Sequence, residues 1–313
     1  MTITQLNYVL AVAEFQNFTL AAEKCFVTQP TLSMQIQKLE DELDVKIFDR
    51  NKKPIQLTDV GRKIVEQAKN IVNEADRIQD IVEQQKGFVG GDFKIGIIPT
   101  VMPTLLPMFL NNFINRYPKI NLIIEEHTTE EIISRLHKGQ LDAAIAATPL
   151  NEPNLKEKVL YYEPFVGYYP VAFRGNLKHL TPDDLNINEI LLLQDGHCFT
   201  NGILNICHAS KLDQSRRFEL TSGSFETLIG LANEGLGVTF LPYLHTLTLT
   251  EKNKENLLPF ADPKPAREVS LIFSKNELKI HIIEALKDTI SGVVRGAIAF
   301  QDVAIISPKP LKK

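Results

Sequence analysis

The sequence predicts an α/β protein that opens with a winged helix-turn-helix, continues through a long linker helix, and ends in a larger α/β region. Three observations predict this. Residues 5–43 hold short amphipathic segments separated by tight turns. A proline-free run from Thr58 to Lys86 carries apolar residues at alternating steps of four and three. Beyond Gly91, short β-rich runs alternate with helical ones. At 313 residues the chain is longer than one hydrophobic core usually serves, so two or three domains are expected.

Composition narrows the class. No apolar stretch approaches the roughly 20 residues of a membrane span. The start MTITQLNYVLAVAEFQ lacks the basic opening and small-residue cleavage site of a signal peptide. A cytoplasmic protein with no membrane partner is expected. Three cysteines are too few for a disulfide framework there. Net charge is 34 − 38 = −4, which argues against indiscriminate coating of nucleic acid but permits a local DNA-reading surface.

In QLNYVLAVAEF, Leu6, Val9, Leu10 and Ala13 recur at helical spacing. Thr19 reads as the N-cap of a second helix ending near Cys25. A third, QPTLSMQIQKLEDEL, follows the FVT turn, with Thr28 or Gln29 as cap and Pro30 in the first turn. Its buried stripe is Leu32, Ile36, Leu39 and Leu43, leaving Thr31, Ser33, Gln35 and Lys38 outward. As the second helix of a helix-turn-helix, this third segment would lie in a major groove, where Gln, Ser and Thr read base edges and Arg and Lys hold phosphates. VKIFDRNKKPIQLT then fits a β-hairpin wing offering Arg50, Lys52 and Lys53 to phosphates. A small helical bundle with a solvated face is the alternative. Residues 1–58 hold six Lys/Arg against seven Asp/Glu, so charge alone does not favour DNA.

The wording of FTLAAEKCFVTQPTLSMQIQKLEDELDVKIFDR closely resembles the winged helix-turn-helix of the LysR-type transcriptional regulators. The resemblance rests on Ala21-Ala22, Thr28-Gln29-Pro30, Leu32-Ser33, Gln35-Ile36, Leu39-Glu40, Leu43, and Phe48 with Arg50. Two positions depart from it. Asp44 stands where the family usually has glycine, and Cys25 where it places an apolar residue.

From Thr58, a plausible cap, the linker seam is Ile64, Ala68, Ile71, Ala75, Ile78 and Val82, the a/d pattern of a coiled coil. The helix would be about 40 Å long. A core helix of the next domain is the alternative. The resemblance implies a homodimer through this helix, assembling into a homotetramer, with double-stranded promoter DNA and RNA polymerase as partners.

Further on, FKIGII, INLIIEE, AAIAA, EILLL, GVTFLP and REVSLIF read as strands. PTLLPMFLNNFINRY, EEIISRLHKG, FETLIGLANEG and ELKIHIIEALKDTI read as helices. The resemblance implies a two-subdomain, periplasmic-binding-protein-like regulatory domain. The expected organisation is a DNA-binding head at 1–58 and a linker at 59–89, then a regulatory domain at 92–300. Subdomain one takes about 92–163 and 266–300, and subdomain two about 164–265. Residues 301–313 are expected to be a basic, unordered tail.

No phosphate loop, HExxH or GxSxG is present, so enzyme chemistry has no motif to rest on. LLLQDGHCFTNGILNICHAS does carry chemistry. Cys198 and Cys207 are nine apart with His197 and His208 beside them, a poor match to zinc-ligand spacing, so no metal is expected. Two independent core thiols remain one reading. A redox pair is the other: Cys198 would follow a strand and open a helix, where a thiolate is favoured, with His197 as a neighbouring donor. Nine residues of helix separate the Cα atoms by about 13 Å. A disulfide requires about 7 Å or less. Any such bond would therefore need the segment to unwind, and Gly202 would ease that change.

LLLQDGHC followed, after eight intervening residues, by the second cysteine resembles the peroxide-sensing, OxyR-like branch of the LysR-type regulators, as do KIGIIPTVMPTLLP and TSGSFETLIGLANEGLGVTFLP. The resemblance implies a peroxidatic Cys198, a resolving Cys207, and peroxide contacts from Thr100, Thr129 and His197, with hydrogen peroxide as signal and no cofactor. Helix capping is the alternative role for the two threonines. Asn201 stands where the branch usually has aspartate, so peroxide sensitivity is expected to differ. A LysR-type regulator answering to a small organic ligand, or a thiol-dependent redox enzyme, are the rival functions.

Overall fold

The computed structural model describes residues 1–85, 90–194, 198–207, 223–298 and 303–309. The chain divides into two compact units, Met1–Phe88 with Lys138–Gln140, and Val89–His137 with Leu141–Lys313.

In the first unit, helix α1 spans Ile3–Phe15 behind a capping box of Thr2 and Gln5. Helix α2 spans Phe18–Lys24. Its cap is Asn17 rather than Thr19: extended Asn17 accepts from the amides of Thr19 and Leu20, which places Thr19 already inside the helix. Helix α3 spans Gln29–Leu43 with Thr28 as cap, and Leu32, Ile36 and Leu39 are fully buried. Leu43 does not complete the stripe. It is exposed, and Glu40 takes the buried position in that last turn. Asp44 ends the helix in left-handed geometry, φ 53°, which Asp tolerates better than most residues.

The wing is an antiparallel pair, β1 (Phe48–Asp49) and β2 (Gln56–Leu57). Helix α4 spans Asp59–Gln85. Thr58 caps it, accepting from the Gly61 amide at 2.9 Å and donating to the Lys46 carbonyl at 2.6 Å. The seam divides by function. Ala68, with Val65, packs into this unit's own core, whereas Ile71, Ile78 and Val82 are exposed by 38, 65 and 40%.

The second unit begins with β3 (Gly91–Ile97), α5 (Met102–Arg116), β4 (Ile120–Glu126), α6 (Thr129–His137) and β5 (Ala143–Thr148). A 14-residue strand β6 (Leu155–Tyr168) follows, then α7 (Val171–Arg174), α8 (Cys198–Ile206) and α9 (Phe225–Asn233). Next come β7 (Thr239–Pro242), α10 (Tyr243–Thr246), α11 (Glu251–Lys254), β8 (Leu257–Pro259), β9 (Lys264–Ser274), α12 (Ile280–Val294) and β10 (Val303–Ile305). The sheet runs β4-β3-β5-β9-β6-β7. It is mixed: β3 pairs parallel with β4 and β5, while β9 runs antiparallel to β5 and β6.

Strand β6 pairs with β9 from Leu155 to Pro164, then with β7 and β8 from Phe165. It thus serves two cores. One gathers Phe93, Ile95, Phe109, Ile145, Leu271 and Leu286; the other gathers Phe165, Tyr168, Leu191, Phe199, Phe240 and Phe260.

Two expectations are corrected. EILLL is not a regular strand; it makes an isolated parallel bridge between Ile190 and Val238, so its apolar residues serve the second core without a ladder. The unordered tail is corrected for residues 303–309. Val303, Ala304 and Ile305 pair in parallel with Lys264, Pro265 and Ala266, which satisfies backbone groups that a loose tail would leave to water.

Candidate functional site

In the first unit, the exposed start of α3 presents Thr28, Gln29, Pro30 and Thr31, and Lys38 is exposed further along. Ser33 and Gln35 are half-buried. The Gln35 side chain accepts a hydrogen bond from Gln5 at 3.3 Å. On the wing, Lys52 is exposed. Arg50 is drawn back onto α3, donating to Glu40 at 3.1 Å and to the Ser33 hydroxyl at 3.3 Å, with its guanidinium over the Phe18 ring. Buried Glu40 organises this join, because its other oxygen accepts from the amides of Ile47 and Phe48 at 2.8 and 3.2 Å. The sequence leads one to expect Arg50 against phosphate; in the structure its guanidinium serves the carboxylate that fixes the wing.

In the second unit, α8 begins at Cys198 and Cys207 follows its last residue. Among the described residues Cys25, Cys198 and Cys207 are free thiols. Cys198 is buried and packs with the first core, while its neighbour Phe199 packs with the second. Phe199 lies 5.0 Å from the ring of Phe165 and 5.1 Å from that of Phe225. Gly202 has a packing role: a Cβ there would lie 2.9 Å from the Phe165 ring. Cys207 is half-buried against the second core, and burial pushes its thiol up to about 11. At Cys25 burial also raises the thiol, against the opposing charge of Lys24.

A buried guanidinium lies at the junction of the two cores. Arg267, from β9, donates to Glu163 of β6 through Nε at 2.9 Å and Nη2 at 2.7 Å. It also donates to the Thr100 hydroxyl through Nη1 at 2.8 Å and to the Thr100 carbonyl at 3.0 Å. Its face covers the Phe199 ring at 5.3 Å. Burial opposes the charge on Arg267, but the Glu163 carboxylate, 2.7 Å away, offsets this and holds it protonated. Arg267 therefore places a positive charge against Phe199, the residue next to Cys198.

Thr100 and Thr129 follow the carboxyl ends of adjacent parallel strands, β3 and β4, the usual ligand end of such sheets. Neither is a helix cap. Val101 precedes α5, and Thr128 caps α6, its hydroxyl accepting from the Glu131 amide while the Glu131 carboxylate accepts from the Thr128 amide. Thr129 Oγ1 is left buried with no hydrogen-bond partner. An orphaned hydroxyl costs stability unless something fills its hydrogen-bonding capacity. His197 lies outside the described residues. Asn201 turns away from the role of a base, donating to the Pro308 carbonyl at 3.2 Å.

Sequence reasoning missed Arg267 and Glu163. The available signal was a charged pair in strands otherwise rich in buried apolar residues, because a buried charge demands a partner. Among the described residues no group of three or more His, Cys, Asp or Glu could hold a metal ion. No described helix is long and apolar enough to cross a membrane.

A winged helix-turn-helix, a linker helix and a two-core α/β unit together define a bacterial transcriptional regulator. Residues 3–62 match the bacterial regulatory helix-turn-helix protein of the lysR family, and residues 86–295 match the LysR substrate binding domain. The chain belongs to the LysR family, and is a regulator rather than an enzyme. It is 33% identical over 297 residues to a hydrogen peroxide-inducible genes activator of Pectobacterium carotovorum subsp. carotovorum, covering 95% of this chain and 98% of that protein. It is similar to a full-length OxyR cysteine-to-aspartate variant from Pseudomonas aeruginosa, with TM-score 0.73, 34% identity, and coverage of 93% of this chain and 98% of that one. A hydrogen-peroxide-bound OxyR cysteine-to-serine mutant from Corynebacterium glutamicum has TM-score 0.60 and 26% identity, with coverage of 97% and 98% respectively.

Proposed function

We propose that this chain is a cytoplasmic transcriptional activator that registers hydrogen peroxide through Cys198 and Cys207 and passes the signal to promoter-bound heads. The observation that carries this is the placement of Cys198 on the first core, within reach of the Arg267 charge, with Cys207 at the far end of the same helix on the second core. The peroxide-responsive relatives support it.

The chemistry runs in two steps. The Cys198 sulfur attacks one peroxide oxygen; the S–O bond forms, the O–O bond breaks, and the departing hydroxide takes the thiol proton and leaves as water. The Thr100 hydroxyl already accepts from Arg267, so its own proton is free to be donated to peroxide. The orphaned Thr129 hydroxyl supplies a second orienting group. The Cys207 sulfur then attacks the Cys198 sulfenic acid; an S–S bond forms, the S–O bond breaks, and a second water leaves. Two thiols and one peroxide give a disulfide and two waters.

About 13 Å of helix separates the two Cα positions, so the second step requires α8 to unwind. That change is large enough to repack the boundary between the two cores. Exposed Ile71, Ile78 and Val82 on α4 support pairing with a second chain, and a tetramer would present four heads to promoter DNA for contact with RNA polymerase. Thr28, Gln29, Pro30, Thr31, Ser33, Gln35, Lys38, Arg50 and Lys52 form the DNA-facing surface in this reading.

The test is to titrate reduced protein with micromolar hydrogen peroxide and map its disulfides, beside Cys198→Ser. Formation of the Cys198–Cys207 bond in the wild type alone is expected. Both thiols remaining reduced while a bulk-thiol control oxidises would overturn the proposal.

A further inference from the structure

The C-terminal segment lies against the helix that carries both thiols. Strand β10 is paired to β9 immediately before Arg267, and the Ile306 amide extends that pairing by donating to the Ala266 carbonyl at 2.8 Å. Ile306 packs against the second core and Pro308 is buried. Asn205 Nδ2 donates to two carbonyls of this segment, Ser307 at 2.8 Å and Lys309 at 2.9 Å. Asn201 Nδ2 donates to the Pro308 carbonyl between them at 3.2 Å. Lys309 is held in turn by its backbone N–H, which donates to the Ser307 hydroxyl at 3.2 Å, and by the ion pair of its ammonium with Glu152 at 3.8 Å.

The phase of α8 gives these contacts their meaning. Asn201 and Asn205 follow Cys198 by three and seven residues, so the three share one face of the helix. Cys207 follows by nine, roughly half a turn out of phase. The strap therefore grips the stripe that begins at Cys198, and joins it to the strand that supplies Arg267. Any unwinding that brings Cys207 towards Cys198 must break the Asn201 and Asn205 contacts or drag residues 307–309 along.

We propose that residues 303–309 form a latch on α8, with Asn201 and Asn205 as its positioning residues, and that release of this latch limits how fast the Cys198–Cys207 disulfide closes. The redox part of this proposal rests on the peroxide-sensing function proposed above. It also assigns a role to Asn201: its amide donates to the latch, as a carboxylate could not.

The test compares full-length protein with a truncation ending at Ile306, which keeps β10, and with the double variant Asn201→Ala/Asn205→Ala. Alanine favours helix more than asparagine, so in the double variant intrinsic propensity alone would slow unwinding. Faster unwinding there identifies the lost latch contacts. Two readouts are taken: hydrogen exchange of α8 amides in reduced protein, and the rate of Cys198–Cys207 closure after a single peroxide pulse.

Both variants are expected to exchange about tenfold faster in α8 and to close the disulfide about tenfold faster, a change worth about 1.4 kcal/mol. In the truncation, formation of the Cys198 sulfenic acid should keep its wild-type rate. Exchange that is unchanged in a folded double variant overturns the latch, whatever the chemistry. Faster exchange with wild-type closure rates overturns its control of the switch. Absence of any Cys198–Cys207 bond in the wild type overturns the redox reading itself, and faster exchange would then support the strap solely as a clamp on α8.

Discussion

Arg267 Nη1 donates to the Thr100 hydroxyl at 2.8 Å while Nη2 and Nε share one oxygen of Glu163. One buried guanidinium thus fixes a threonine, satisfies a carboxylate from the neighbouring strand, and places charge near Cys198. Stability and reactivity should therefore separate on mutation. Arg267→Met leaves Glu163 buried without its partner and should cost about 3–5 kcal/mol in denaturant unfolding. Glu163→Leu/Arg267→Met should recover much of that loss, because neither charge is then stranded. Oxidation of Cys198 by peroxide, followed by trapping of the sulfenic acid, should stay at least about tenfold slow in the double variant. Recovery of the wild-type rate would remove Arg267 from the chemistry.

Thr129 gives the opposite signature. Its hydroxyl is buried and unpartnered, and Thr→Val keeps the shape while removing the polar atom. Stability in denaturant should stay within about 0.5 kcal/mol or rise, since an unsatisfied group is lost. The oxidation rate of Cys198 should nevertheless fall several-fold. A marked loss of stability would mean that the hydroxyl has a structural partner, and would argue against its role in holding peroxide.

Burial raises the Cys207 thiol from 9.0 to about 11. The folded state then retains a proton that the unfolded state loses as pH rises past about 9. By linkage, the contribution to stability is fully present below that pH and declines between about 9 and 11. Cys207→Ser should flatten this part of the stability profile in reduced protein, measured by denaturant midpoints across the alkaline range. An identical slope in both proteins would show that Cys207 is not buried as described.

Much of this organisation was legible because periodic burial writes itself into sequence. Leu32, Ile36 and Leu39 mark one face of α3, and the order of strands and helices after Gly91 follows from alternating apolar runs. The resemblance supplied Cys198, Cys207, Thr100 and Thr129. What escaped notice depends on long-range partners. Arg267 and Glu163 are 104 positions apart, and neither alone announces an ion pair. EILLL has strand composition but completes only an isolated bridge. The order of residues 303–309 depends on β9 and on two asparagines in α8, none of which their own composition reveals.

At the wing, Glu40 accepts from two backbone amides and from Arg50. Glu40→Ala should leave those buried amides unsatisfied and destabilise the head by about 2 kcal/mol or more. Gln29→Ala, at an exposed position, should leave thermal unfolding unchanged and weaken binding of a promoter fragment by about 1–3 kcal/mol. Arg50→Ala should show both effects. Equal binding by wild type and Gln29→Ala at moderate salt would exclude the start of α3 from base readout.

Along α4, Ile71, Ile78 and Val82 are spaced by seven and four and remain exposed in the single chain. An apolar seam of that period buries itself only against another helix. Ile78→Glu should shift the protein towards monomer in sedimentation, because two carboxylates would face each other across the axis. The same change should alter the unfolding of a monomeric head by no more than about 0.5 kcal/mol, since Ile78 makes little contact within its own chain. Binding to a promoter with two half-sites should weaken far more than binding to one half-site, because pairing fixes the spacing of two heads. An Ile78→Glu protein that sediments like the wild type would place the dimer contact elsewhere on the chain.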